Sequence, residues 1–298
     1  MNEPIKYISK VEIKNLWGRY DIVWNLDPSV NILSGINGSG KSTVLDCISV
    51  TISITVRLEE LTKKAESIKV IFNNGQEVRS NNRAIVFLKE VDQSHRNDTI
   101  WNLIDTISTF DNNLNQNASP DEKVKTELDK TIFDLQKQYL DYQLNIGKKA
   151  FEIVSNNSKN TNQEVLEVKK QHNRFLEIID SLFADTDKKV DRKNNELTFL
   201  SGKDKLTPYQ LSSGEKQILV ILLTVLVQDN KPSILFMDEP EISLHLDWQR
   251  KLIQYIKELN PNVQIILATH SPGIILEGWR DKVTEMTEII TLDRKAKS

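Results

Sequence analysis

Residues 5–33 alternate apolar and polar side chains with the period of a strand. Tyr7–Lys14 and Ile22–Leu26 read as half-buried strands, and Val30–Leu33 as a short buried one. From Lys41 the period changes. Val44, Leu45, Ile48, Ile52 and Val56 fall on one face of a helix running to about Val56. Ile68–Phe72 and Gln76–Arg79 flank Asn73-Asn74-Gly75, which predicts a hairpin, and Ala84–Val91 reads as a further strand. Between about 95 and 195 two long amphipathic stripes appear. Val124, Leu128, Ile132, Leu135, Tyr139, Tyr142 and Ile146 form one; Val165, Val168, His172, Phe175, Ile179 and Leu182 form the other. Their steps of three and four predict an antiparallel, coiled-coil-like helical hairpin. The polar run Ser155–Asn160 marks its break, and a shorter helix is expected near 98–110. His172 lies on the apolar stripe and reads as a core histidine.

Beyond 195 the alternation of strand and helix returns. Strands are predicted at Glu196–Leu200, Ile234–Met237 and Val263–Ala268, and helices at 213–228 and Asp247–Leu259. Such alternation implies an α/β fold with a mixed, mostly parallel sheet. The expected organisation is one discontinuous α/β domain, 1–95 with 195–298, carrying an inserted helical lobe at 96–194. That lobe is either plain scaffold or an interaction surface.

Composition narrows the function only slightly. Of the 298 residues 39% are hydrophobic and 27% charged, with a net charge of −3, so no general affinity for nucleic acid or anionic membranes is announced. Local basic runs at Lys188-Lys189 and Arg192-Lys193 leave nucleic acid as a possible partner. One cysteine, Cys47, excludes an intrachain disulfide framework and disfavours a cysteine-based zinc cluster. Ile218–Val227 is too short an apolar stretch to span a bilayer. Met1–Lys10 has no apolar signal core. No membrane association and a cytoplasmic location are therefore expected.

The ten glycines point to chemistry. Gly35-Ile36-Asn37-Gly38-Ser39-Gly40-Lys41-Ser42 fits G-x-x-x-x-G-K-[ST], between a strand and a helix. Successive backbone N–H groups of such a loop face phosphates, and the helix N-terminus adds its dipole. Lys41 is expected to reach the β- and γ-phosphates, and Ser42 to ligate Mg²⁺. Ile234–Met237 is followed by Asp238-Glu239, two acids at the carboxyl end of a buried parallel strand, where ligands bind in open α/β sheets. Asp238 suits the Mg²⁺ shell and Glu239 the base that orients attacking water. Ser212-x-x-Glu215 is a capping box, yet Ser212 and Gly214 at a helix start also form an anion site. With all nucleotide phosphates already accounted for, a second subunit would use it. His270, just past the strand Val263–Ala268, can touch a γ-phosphate or hold the attacking water.

The order of these motifs resembles the ABC ATPases, in the soluble RecF/SMC-like branch. Gly35–Ser42, running on to Thr43, is similar to an NGSGKST-type Walker A motif, Leu211–Glu215 to the ABC signature, Ile234–Glu239 to Walker B, and His270 to the switch histidine. Asp238–His245 resembles the form found in stand-alone prokaryotic ATPases of anti-phage and toxin-type systems, the Septu-type and retron-associated ATPases among them. The resemblance covers about 1–95 and 195–280 and departs from the commonest signature at Ser213. It implies a P-loop NTPase ABC head using ATP and Mg²⁺. It also implies nucleotide contacts from Asn37, Gly38, Ser39, Gly40, Lys41, Ser42 and Thr43, and from Ser212, Gly214 and Glu215 of a second copy. Gln93 would complete the metal shell, and one of Trp17, Arg19 and Tyr20 would face adenine. A head-to-head homodimer driving a separately encoded effector, such as a nuclease, is the expected output. The alternatives are a repair or chromosome-maintenance ATPase clamping DNA directly, and a transporter subunit, which the helical insertion disfavours.

Overall fold

The computed structural model describes residues 3–53, 64–81, 84–88, 103–107, 123–156 and 160–293. In chain order the strands are β1 (Ile8–Leu16), β2 (Tyr20–Asn25), β3 (Val30–Ser34), β4 (Ser67–Phe72), β5 (Glu77–Asn81), β6 (Ala84–Leu88), β7 (Ile104–Ile107), β8 (Lys188–Val190), β9 (Phe199–Ser201), β10 (Asp204–Leu206), β11 (Ser233–Asp238), β12 (Val263–Ala268), β13 (Val283–Glu285) and β14 (Ile290–Asp293). The α-helices are α1 (Lys41–Ser53), α2 (Glu127–Ser155), α3 (Thr161–Val168), α4 (Lys170–Leu182), α5 (Ser213–Val227), α6 (Leu246–Leu259), α7 (Pro272–Leu276) and α8 (Met286–Ile289). The described residues fall into two compact units. The first draws on Met1–Ser108, Pro232–Pro240 and Asn262–Ser298, the second on Thr109–Lys231 and Glu241–Pro261.

The first unit contains two sheets. One is wholly parallel, in the order β13-β3-β12-β11-β7. Its inner strands β11 and β12 are almost entirely buried, which explains their unbroken apolar sequences. The other is wholly antiparallel, in the order β14-β2-β1-β4-β5-β6. The mixed α/β character thus resides in two separate sheets. Helix α1 packs against strands of both. Its Val44, Leu45, Cys47 and Ile48 share one core with Ile13, Trp24 and Phe72 on one side and Phe236 and Ile266 on the other. A helix buried on several faces must be apolar on several faces, as α1 is.

One polar residue also joins the sheets. The buried amide of Gln264, on β12, accepts from the Ile8 N–H at 2.8 Å and donates to the Ile8 and Asp27 carbonyls, both at 2.8 Å. It satisfies backbone groups that β1 cannot pair by itself.

The second unit is mainly helical. Helix α5 is apolar on all sides, and it packs against α2, α4 and α6. The predicted stripe of α2 is buried from Leu128 to Ile146. The predicted second helix breaks at Lys169 into α3, with no buried residue, and α4, which buries Phe175, Ile179 and Leu182. His172 is a half-buried packing histidine. Its Nε2 lies 2.8 Å from the Tyr139 hydroxyl, and burial holds its pKa below the usual histidine value.

Two expectations need correction. The helix expected near 98–110 is replaced, at Ile104–Ile107, by β7, which pairs in parallel with β11. Its residues lie inside the span 96–194 yet belong to the parallel sheet. The helical unit is also larger than that span, because α5 and α6 fall within it. A helix as apolar as α5 needs partners on several faces, and α2, α4 and α6 supply them. The buried stripe of α2 also lies on α5. The three-residue strands β8–β10 form a small antiparallel sheet of their own.

Candidate functional site

The carboxyl ends of β3, β12 and β11 lie side by side, and the chain leaves each with a chemically distinctive residue. After β3 it forms the loop Gly35–Gly40. The ring of Trp17 lies directly over the Gly40 backbone, where φ is +107°, so a Cβ there would collide with the indole. Helix α1 then begins at Lys41. The buried Lys41 ammonium donates to the Gly35 carbonyl at 3.1 Å and contacts His270 Nε2. His270 follows β12, and its Nε2 also lies 3.5 Å from Glu239 Oε1. Glu239 follows β11 in the left-handed region, at φ +47°, and its N–H donates to the Ala268 carbonyl at 2.8 Å. This bend extends the β11–β12 ladder by one bond while turning the chain sharply. A residue other than glycine there costs conformational energy.

Ser42 Oγ donates to Asp238 Oδ1 at 3.0 Å. Burial pushes the Asp238 carboxyl above the ordinary value, and the Glu239 charge adds to this, against the Ser42 hydrogen bond. Asn37 and Gly38 are exposed at the loop tip, and Ser39 and Thr43 are half-buried. The Ser39 hydroxyl has no hydrogen-bond partner among the described residues. Lys41, Ser42, Asp238, Glu239 and His270 are therefore brought together by direct side-chain contacts. Gln93 lies outside the described residues.

Of the three aromatic or basic residues left open beside the loop, Trp17 alone lies over Gly40. Arg19 instead makes a bidentate pair with Asp293, both bonds 2.8 Å, and sits 4.5 Å over the Tyr20 ring. The sequence signal for Trp17 was a Trp-Gly turn after β1. Its left-handed φ of +55° was not legible.

Ser212, Gly214 and Glu215 belong to the second unit. Ser212 caps α5, and its N–H and Oγ both donate to Glu215 Oε2 at 2.9 Å. Glu215 Oε1 accepts from Lys188 Nζ at 2.9 Å and Thr186 Oγ1 at 2.8 Å. Burial works to raise the Glu215 carboxyl, but the Lys188 ion pair and the Ser212 and Thr186 hydrogen bonds outweigh it and hold it below the ordinary range. Gly214 has a packing reason as well: a Cβ would collide with the Ser243 carbonyl oxygen.

The residues fit a hard divalent cation. Ser42 and Asp238 offer a hydroxyl and a carboxylate oxygen in contact, the type of ligand Mg²⁺ takes alongside substrate oxygens and water. Nearby positive charge would relieve the raised Asp238. Among the described residues, no group of three or more His, Cys, Asp or Glu side chains is placed to hold a metal.

With this geometry, comparison with known proteins is decisive for family. Residues 30–277 match the family model described as "AAA domain, putative AbiEii toxin, Type IV TA system". The chain belongs to this family of ATPase domains. Among relatives of this ATPase domain, the Septu protein PtuA of Bacillus thuringiensis is 24% identical over 90% of this chain and 72% of its own. The Retron Vc95 probable ATPase of Vibrio cholerae is 25% identical over 45% of this chain, a match spanning only 28% of that relative. A crystal structure of the SmcHead bound to the C-winged helix domain of ScpA shares the fold. Its TM-score is 0.56, at 18% identity, over 91% of this chain and 92% of that one. No helix among the described residues is long and apolar enough to cross a membrane.

Proposed function

We propose that the chain is a cytoplasmic ATP-driven switch. It binds ATP with Mg²⁺ at the Lys41–His270 cluster and pairs head to head with a second copy around two nucleotides. Through that pairing it controls a separately encoded effector, such as a nuclease, in a prokaryotic anti-phage or toxin-type system. The observation that carries this is the chain of contacts Lys41 to His270, His270 to Glu239 and Ser42 to Asp238, drawn from three chain segments to one edge of a parallel sheet. The relatives in Septu and retron systems supply the biological setting.

Each residue has a role that follows from its place. The backbone N–H groups of 37–43 cradle the phosphates, and Lys41 exchanges its contacts with Gly35 and His270 for phosphate oxygens. Ser42 and Asp238 would hold Mg²⁺, which when bound would supply positive charge beside the phosphates. Glu239 accepts a hydrogen bond from the attacking water, and His270, in reach of both Lys41 and Glu239, fixes its line of approach. Ser212 and Gly214 of the second copy complete the site from the other side of the nucleotide. Catalysis is then mainly positioning and electrostatics.

Glu239→Gln tests the reading. It removes the base but keeps a side chain of the same length, so ATP is bound and not consumed. Size-exclusion chromatography with light scattering is expected to show a stable dimer with ATP and its loss without. An unchanged mass with ATP sinks the switch mechanism.

A further inference from the structure

Helix α2 carries two apolar stripes. The first is buried in its own unit. The second, Leu140, Leu144, Gly147, Phe151 and Val154, with Lys137 at its N-terminal end, steps by three and four residues along the opposite side. Leu144 is 62% exposed, Phe151 73% and Val154 54%. Exposed apolar residues scattered singly need no explanation, but a heptad-spaced row of them does. Gly147 is a second anomaly. It sits inside a 29-residue helix, where glycine lowers stability, and nothing lies within 4 Å of where its Cβ would be. Among the described residues, no neighbour requires a glycine there. A helix packing closely from outside would.

We propose that this stripe is a homotypic interface, on which α2 pairs antiparallel with α2 of a second copy. Leu144 of one copy faces Gly147 of the other, and Phe151 faces Leu140, each contact occurring twice about the two-fold axis. The register is chosen by charge. Asp141 and Lys148 flank the stripe on the same side, both are exposed, and neither has an ion-pair partner among the described residues. In this register Asp141 of each copy lies beside Lys148 of the other. The large Leu144 side chain meets the glycine, so the helices approach closely where a Cβ would hold them apart. From Lys137 to Val154 the seam is about 27 Å long at 1.5 Å per residue. Two helices in contact over that length bury on the order of 1,000 Å², the lower end for a specific interface. The contact is therefore weak alone and needs no nucleotide, which separates it from the ATP-held pairing proposed above.

Sedimentation velocity of the full chain without nucleotide, up to about 100 micromolar, tests it. A concentration-dependent dimer is expected, weakened at least about tenfold by Phe151→Asp. Asp141→Lys and Lys148→Asp should each weaken it, and the double variant should restore it, because only the double variant recreates opposite charges. Register is read by disulfide cross-linking. Leu140→Cys protein mixed with Phe151→Cys protein should cross-link, and each alone should not, since like residues lie about 16 Å apart along the seam. The native Cys47 is buried, with its thiol pushed up to about 12, and does not compete. Circular dichroism checks that the variants fold, which the exposure of all these side chains except Leu140 favours. A chain that stays monomeric leaves the stripe to a different protein and overturns the proposal. A dimer indifferent to Phe151→Asp, to the charge swap or to the cysteine pairing overturns it equally.

Discussion

Replacing Lys216 by Met tests how helix α5 is held in its unit. Lys216 is the fourth residue of α5, and its ammonium lies 2.8 Å from Asp129 Oδ1, with side-chain exposures of 11% and 3%. Asp129 is the third residue of α2. Its other oxygen accepts from the Lys125 and Thr126 N–H groups at 3.0 and 3.3 Å, closing the capping box with Thr126. Apart from the ammonium, Oδ1 has no partner among the described residues. Met keeps the apolar stem of Lys216 and removes only the charge. Breaking one side of a buried pair costs about 3–5 kcal/mol, because a desolvated charge is left behind. The two capping bonds still steady the carboxylate, so the lower figure, about 3 kcal/mol, is expected. Adding Asp129→Asn removes the orphaned charge and keeps an acceptor for the cap, so the double variant should lose only about 1 kcal/mol. Urea unfolding followed by far-ultraviolet circular dichroism reads both, the single variant shifting the midpoint by about 1 M at unchanged slope. A loss below about 1 kcal/mol for Lys216→Met, or no recovery in the double variant, would refute the buried-pair account.

Three further outcomes are expected. Lys41→Ala removes the ammonium from the phosphate loop, and titration calorimetry should show ATP affinity falling by at least about a hundredfold; unchanged affinity rejects the loop as the nucleotide site. Gly214→Ala drives a methyl into the Ser243 carbonyl and should cost about 1–3 kcal/mol, seen as a lower thermal midpoint. Gln264→Leu strips the buried Ile8 N–H and carbonyl of their side-chain partner, while the Asp27 carbonyl keeps the Asn31 amide at 2.8 Å, and should cost about 2 kcal/mol or more in chemical unfolding.

What the sequence revealed follows the range of the forces involved. β11 and β12 announced themselves as apolar runs because both faces are covered. α5 and α6 began where capping and periodicity placed them. Ile104 and Ile107, three apart, fit a helix as readily as a strand. Their strand form depends on pairing with Ile234–Met237, some 130 residues away, and no local pattern encodes that partner. The three residues each of β8, β9 and β10 are too few to show a period. At the site, side-chain types pointed to Lys41, Ser42, Asp238, Glu239 and His270. Their mutual contacts were visible only in three dimensions, as were the left-handed backbone at Glu239 and the indole over Gly40. The acid-acid-proline string carries no sign of that φ. The second reason for Gly214 was hidden in the same way, because its neighbour Ser243 belongs to a different segment.

The parallel sheet also sets a timetable for synthesis. β3 pairs with β12 and β13, and the Ile8 backbone is completed by Gln264, 256 residues later. A ribosome adding about 5–20 residues per second needs roughly ten to fifty seconds to travel from β3 to β12. Through that interval the loop Gly35–Gly40 stands on a strand with neither neighbour. Glu127–Val227, most of the helical unit, emerges and can fold meanwhile. A nascent chain is thus unable to assemble the Lys41–His270 cluster until residue 270 has emerged, and a chain truncated before residue 263 is expected to lack any activity that depends on that cluster.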